Sequence, residues 1–134
     1  MSLELEALVD TLIARDPGRP AVLAPGRAPL GYGSLGVQLE QTVASLARAG
    51  FGDGGRIAML LPNGPEAAVA TIAVAAHATC VPLNPAYGED DLRFYLEDSG
   101  ADALIVPSGD TGPGRRVAAS LGLAVIDLSF DPSW

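Results

Sequence analysis

Two glycine-rich segments, one histidine and one cysteine are the places where this sequence could do chemistry. Gly31-Tyr32-Gly33-Ser34-Leu35-Gly36 matches G-x-G-x-x-G, a spacing that can turn a strand into a helix and lay backbone N–H groups on a pyrophosphate. Its context opposes that reading. The extended piece before it is short and begins at a proline, and the next strand ends Leu61-Pro62-Asn63 with no acid to hold a ribose. Ser108-Gly109-Asp110-Thr111-Gly112-Pro113 has the glycines and hydroxyls of a phosphate cradle. Asp110 stands among them, however, and a carboxylate repels phosphate, so the segment reads as a surface turn. His77 would have to serve any Ser-His or Cys-His pair, yet no acidic residue lies near it in sequence, and a structural role at a helix end is expected. Cys80, in Thr79-Cys80-Val81, is expected to be a small buried hydrophobe, and a single cysteine makes no internal disulfide.

The charge pattern excludes further chemistries. All eight basic residues are arginine, so a Walker-type phosphate loop and a Schiff-base mechanism have no lysine to use. The net charge of −8 and the absence of a basic stripe argue against a nucleic-acid partner. No carboxylate pair and no metal-ligand spacing stands out, so catalytic residues and a metal site are not expected in this stretch. Ala67 to Leu83 is uncharged, but it is alanine-rich, contains His77 and breaks at Pro82, so a helix followed by a strand is expected rather than a membrane span. The acidic start, Met1 to Asp10, does not resemble a signal peptide, and a cytoplasmic location is the default expectation.

The elements that would position these residues follow from hydrophobic spacing. Leu5, Leu8, Val9 and Leu12 predict a first helix over Leu3 to Ala14. Ala21 to Ala24 and Pro29 to Tyr32 predict a hairpin around Pro25-Gly26-Arg27. Leu35, Leu39, Val43, Leu46 and Ala47 predict a second helix ending at Gly50. Arg56 to Leu61 is an apolar run suited to a strand buried on both faces. Asn63 is placed to cap a third helix, with Pro65 in its first turn, Glu66 three residues after the cap, and Val69, Ile72, Ala73 and Ala76 facing inward. Strand Thr79 to Leu83, a helix opened by Glu89, Asp90 and Asp91, strand Ala103 to Val106, a short helix from Gly114 to Ser120 and strand Leu123 to Ile126 complete the pattern. The expected fold class is α/β: a mainly parallel sheet with flanking helices in βαβ units, plus an N-terminal antiparallel hairpin.

Several segments, in order, resemble the core motifs of the adenylate-forming (AMP-binding) superfamily. Leu30-Gly31-Tyr32-Gly33-Ser34-Leu35 resembles its first core motif. Gly50 to Ala58 resembles Gly-Val-x-x-Gly-Asp-Arg-Val-Ala. Leu60-Leu61-Pro62-Asn63-Gly64-Pro65-Glu66, Val81-Pro82-Leu83-Asn84-Pro85-Ala86-Tyr87 and Tyr95-Leu96-Glu97-Asp98-Ser99-Gly100-Ala101 are similar to the segments that follow in the family. Ser34 and His77 depart from the usual glutamate and glycine. Asn84, where peptide-synthetase adenylation domains usually carry aspartate, and the run Phe94 to Ser99 are similar to the acyl-CoA synthetase branch that activates oxalate and fatty acids. Ser108 to Pro113 also loosely resembles the family's Ser-Gly-Thr-Thr-Gly loop, but it lies too early in the chain and lacks the lysine that follows.

The resemblance implies that residues 1–134 form the N-terminal subdomain of the large domain of an acyl-CoA synthetase, incomplete by itself. Such enzymes join a carboxylate to ATP, release pyrophosphate and pass the acyl group to CoA, with Mg bound to the phosphates. It further implies that the phosphate loop, nucleotide pocket and catalytic lysine lie in a missing C-terminal part, which is the expected partner, and that this chain alone is inactive and binds no cofactor. Asn84 and Tyr87 are the candidates for the rim along which CoA approaches. An apolar face left uncovered predicts a homo-oligomer. A stand-alone, non-catalytic binding or assembly module of the same fold is the alternative reading.

Overall fold

The computed structural model describes residues 2–131, with helices and strands alternating as α1 Ser2–Arg15, β1 Pro20–Val22, β2 Leu30–Gly31, α2 Tyr32–Arg48, β3 Arg56–Met59, α3 Pro65–His77, β4 Thr79–Pro82, α4 Glu89–Asp98, β5 Ala103–Pro107, α5 Pro113–Ser120 and β6 Ala124–Leu128. They fall into two compact units. The expected fold class holds: β1 and β2 form an antiparallel hairpin, and β4-β3-β5-β6 form a four-stranded, wholly parallel sheet.

The first unit comprises α1, the hairpin, α2 and α3. Its core gathers Leu30, Leu35, Leu39 and Ala73, with Ile13, Ala21, Val22, Tyr32, Val69 and Ile72 packed around them. On α1, Leu8 is exposed, and Leu12 and Ile13 are half-buried, so the stripe predicted through Leu8 is rotated toward Ile13. The predicted Leu5 and Val9 side chains lie outside those described. On α2, Leu35, Leu39 and Leu46 are buried as predicted, Val43 is half-buried and Ala47 is exposed. Helix α3 is mostly apolar, and the predicted inward stripe is met in part, with Ala73 and Ala76 buried. It buries Ala70, Ala73, Val74 and Ala76, while Val69 and Ile72 are half-buried.

The start of α3 differs from the predicted cap. Gly64 holds the cap position, with no side-chain cap hydrogen bond, and Asn63 is exposed. Glu66 turns instead to Arg27 of the hairpin turn, 39 positions away, and accepts a hydrogen bond from its guanidinium. Arg27 also donates to the Asp131 carbonyl at 3.3 Å. Partial burial pushes the Glu66 carboxyl up, but the Arg27 hydrogen bond, the residue's own backbone N–H and the Arg27 charge together hold it below the usual carboxylate value.

The second unit carries the parallel sheet with α4 and α5. Its inner strands β3 and β5 are almost wholly buried, as their unbroken apolar runs require, whereas β4 and β6 at the edges are partly exposed. Ala58, Leu60, Leu92, Leu96, Leu104, Val106, Val117 and Ala118 form its core. Gly114 opens α5 directly over this core: a Cβ there would stand 2.6 Å from Leu60 Cδ2 and 3.4 Å from Leu104 Cδ2.

Three helices end alike. After α2, α4 and α5 the chain enters a left-handed glycine, Gly50, Gly100 or Gly122, with φ of 90°, 63° and 72°. The following residues, Phe51, Ala101 and Leu123, donate back to the carbonyls of Leu46, Leu96 and Ala118. This closes the free carbonyls of each last turn, an arrangement that favours glycine because a Cβ makes positive φ costly.

Candidate functional site

The glycine fingerprint is built into the fold rather than left open for a ligand. The Tyr32 N–H donates to the Arg19 carbonyl at 3.0 Å and the Gly33 N–H to the Pro17 carbonyl at 2.8 Å. Two amides at the start of α2 that a pyrophosphate would need are therefore taken by the chain itself. The glycines answer the same close approach. A Cβ on Gly31 would lie 3.0 Å from the Pro17 carbonyl oxygen, one on Gly33 3.2 Å from Pro17 Cβ, and one on Gly36 2.5 Å from Ile13 Cδ1. The strand leading into the motif has only two residues.

Strand order reverses about β3, so the sheet's switch point lies between the carboxyl ends of β3 and β5. Ser108 to Pro113 leaves β5 at that point. Three of its amides and the nearby cation are engaged: Asp110 Oδ2 accepts from the Gly112 N–H at 3.1 Å, the Ser108 N–H donates to the Leu128 carbonyl at 2.9 Å and the Asp110 N–H to the Pro107 carbonyl at 3.0 Å. Arg115 donates to the carbonyls of Asp110 at 2.6 Å and Pro107 at 3.2 Å, and it pairs with Asp127. The hydrogen bond to Asp127 holds the guanidinium still more firmly in its charged form. The segment is a self-satisfied turn, as its sequence suggested.

The β4–α4 connection carries Asn84 and Tyr87. Asn84 is exposed and uses its own side chain locally: Oδ1 accepts from the Ala86 N–H at 2.9 Å, and its carbonyl accepts from the Tyr87 N–H at 3.1 Å. It therefore shapes the turn. Tyr87 is half-buried against the second unit's core and stacks on Tyr95, with ring centroids 5.0 Å apart and planes 14° apart. Phe94 meets Tyr95 edge-on at 5.2 Å and 79°. The neighbouring Tyr95 phenol, then burial, then the charges of Tyr95 and Asp91 push the Tyr87 phenol up, so it stays protonated in neutral solution and can donate or stack. Sequence reasoning named Tyr87 but missed Tyr95 and Phe94; their i and i+1 placement on a helix carried no sign that Tyr87 would stack on them.

His77 and Cys80 show no nucleophilic arrangement. His77 Nδ1 lies 3.5 Å from Asp53 Oδ1, an acid 24 positions earlier in the chain that sequence proximity did not reveal, and its Nε2 is buried without a hydrogen-bond partner. Cys80 is half-buried, with Sγ 3.9 Å from Met59 Sδ, and burial pushes its thiol up, away from the reactive thiolate. Among the described residues no helix is long and apolar enough to cross a membrane.

Fold and loops define an α/β unit whose loops are tied to their own scaffold rather than arranged around a phosphate. The profile of AMP-binding enzymes matches residues 9–129. The chain belongs to the AMP-binding enzyme family. It is 30% identical to oxalate–CoA ligase of Arabidopsis thaliana over 128 residues, which cover 94% of this chain and 25% of that protein. It is 40% identical to naringenin synthase of Pestalotiopsis fici over 110 residues, 81% of this chain and 4% of that one. ATP-bound MatB from Rhodopseudomonas palustris shares the fold with a TM-score of 0.83 at 23% identity, over 98% of this chain and 26% of that one. The chain thus spans about a quarter of the length of the CoA ligases it matches.

Proposed function

We propose that this chain is the N-terminal subdomain of an AMP-forming acyl-CoA synthetase, where it serves as scaffold to a nucleotide site supplied by the rest of the enzyme. The observation that carries the reading is the match over residues 9–129, to a family of AMP-binding enzymes, of a chain whose two phosphate-like loops are closed by their own hydrogen bonds. The described residues do not fit a triphosphate. The amides at Tyr32 and Gly33 are occupied, Asp110 opposes an anion, and no lysine exists to replace them. ATP, Mg and CoA belong in this proposal to the whole enzyme. The likeness to oxalate–CoA ligase over 94% of the chain supports a carboxylate as substrate and CoA as acceptor. Association of copies belongs to the same proposal, supported by the exposed side chains of Leu8, Leu23 and Val37.

Pyrophosphate release from ATP, measured on the purified 134-residue chain with a panel of carboxylic acids, is expected to stay at background. Acid-dependent release would overturn the scaffold assignment. Within the whole enzyme, Tyr87 and Asn84 are proposed for the rim along which CoA approaches, since the turn they occupy leaves the carboxyl end of β4. Tyr87→Ala is expected to raise the KM for CoA more than that for ATP, because it removes the ring stacked on Tyr95. Unchanged CoA kinetics would leave Tyr87 as a packing residue only.

A further inference from the structure

Helix α4 presents an aromatic ring to solvent inside a ring of carboxylates. Phe94 is 59% exposed. Its helical neighbours at i−4, i−3, i+3 and i+4 are Asp90, Asp91, Glu97 and Asp98, and all four are exposed. Among the described residues, none of these four acids forms an ion pair; the helix's one such contact is Arg116 with Glu89, at 2.7 Å. Tyr95, itself 39% exposed, holds the Phe94 ring edge-on and is in turn stacked on Tyr87, so the aromatic surface is fixed in place.

Local folding explains only half of this arrangement. Acids in the first turn suit the positive end of the helix dipole, so Asp90 and Asp91 stabilise α4. Glu97 and Asp98 sit at the opposite end, where the dipole disfavours negative charge; the Arg56 guanidinium donates to the Ser99 carbonyl there at 2.9 Å, but among the described residues neither acid forms an ion pair. The buried face of α4 is Leu92 and Leu96, so Phe94 contributes nothing to the core. An exposed apolar centre with an unpaired anionic rim has the anatomy of a docking surface for a cationic partner.

We propose that this face of α4 docks a basic protein segment, which lays an arginine side chain over the exposed Phe94 ring while the surrounding carboxylates take its N–H groups. Guanidinium is the cation that both stacks on aromatic faces and pairs with carboxylates in a fork. A second copy of this chain does not suit the face, because it carries a net charge of −8 and would bring acid to acid. The inference stands apart from the proposed enzymatic role: it requires neither ATP nor CoA.

A hexa-arginine peptide is the probe, titrated into the 15N-labelled chain. Amide shifts are expected to concentrate on residues 90–98. Phe94→Ser keeps the net charge and removes a largely exposed ring, so the fold should persist. It is expected to weaken binding about two- to fivefold, the loss of an exposed cation–π contact. Asp91→Asn with Asp98→Asn should weaken it more than Asp10→Asn with Glu40→Gln, a pair of exposed acids outside α4 that lowers the net charge equally. Hexa-arginine should bind more tightly than hexalysine. Undiminished binding by Phe94→Ser, or equal losses from the two charge-matched double variants, would overturn the proposal in favour of diffuse attraction to an acidic protein. Equal affinity for the two peptides would overturn the assignment to arginine.

Discussion

Leu104→Ala is expected to destabilise the chain by about 2–5 kcal/mol, the range for truncating a fully buried leucine. Leu104 is 0% exposed at the centre of β5, facing Ala58 of β3 and Val125 of β6 in register. Its side chain lies in the core formed by Leu92, Leu96 and Val117, all buried. Removing it takes away transfer energy and leaves a cavity that two neighbouring strands cannot collapse into without breaking their ladders. The measurement is urea unfolding followed by circular dichroism, with the midpoint lowered and the slope unchanged. Leu23→Ala, at a residue 73% exposed, is the comparison and should stay within about 0.5 kcal/mol. A Leu104→Ala loss as small as that would mean the sheet is not packed as described.

Gly114→Val is expected to cost about 1–3 kcal/mol through overpacking. The added Cβ would stand 2.6 Å from Leu60 Cδ2, inside any real contact distance, and Val106 Cγ1 at 3.8 Å limits the room on the other side. Helix α5 would have to lift from the sheet or Leu60 would have to leave its rotamer. Leu60 is 9% exposed, so its end has little room to move. The same substitution in a Leu60→Ala background should cost clearly less, giving a favourable coupling in a double-mutant cycle. Additive costs would show that backbone, not the leucine, is the obstacle. Since Ser108 to Pro113 joins β5 to this helix, the pair of experiments also tests how firmly that turn is seated.

Local chemistry made most of the fold legible. The apolar run Arg56 to Leu61 suited a strand buried on both faces and Ala103 to Val106 read as a strand, and both became inner strands of a parallel sheet. Glycine at Gly50 marked a helix end because the positive φ needed there is a property of the residue itself. Asp110 excluded a phosphate cradle by its charge alone, and the structure shows the carboxylate bound to the turn's own amide. The ordered motifs from Leu30 to Ala101 carried the family, whose profile extends over residues 9–129.

What sequence left open depended on partners far apart in the chain. Glu66 has the spacing of a capping acid, yet Arg27, 39 residues earlier, offers a charged hydrogen bond that its own helix cannot match. His77 lacked an acid until folding brought Asp53 to 3.5 Å. The inward side of α3 was legible only in part: Ala73 and Ala76 are buried as their spacing indicated, while packing added Ala70 and Val74 and left Val69 and Ile72 half-buried. The glycines of Gly31 to Gly36 satisfy a dinucleotide pattern equally well as a pattern for close packing, and only the approach of Pro17, Arg19 and Ile13 decided between them. Exposure of Phe94 was likewise a tertiary matter: its helix buries Leu92 and Leu96, which turns the aromatic ring and four carboxylates outward together. Sequence thus determined the elements, their ends and the family, since these rest on each residue's own backbone and hydrophobic preferences. Tertiary structure decided which amides, charges and rings remain open to a partner, since that depends on what distant residues cover.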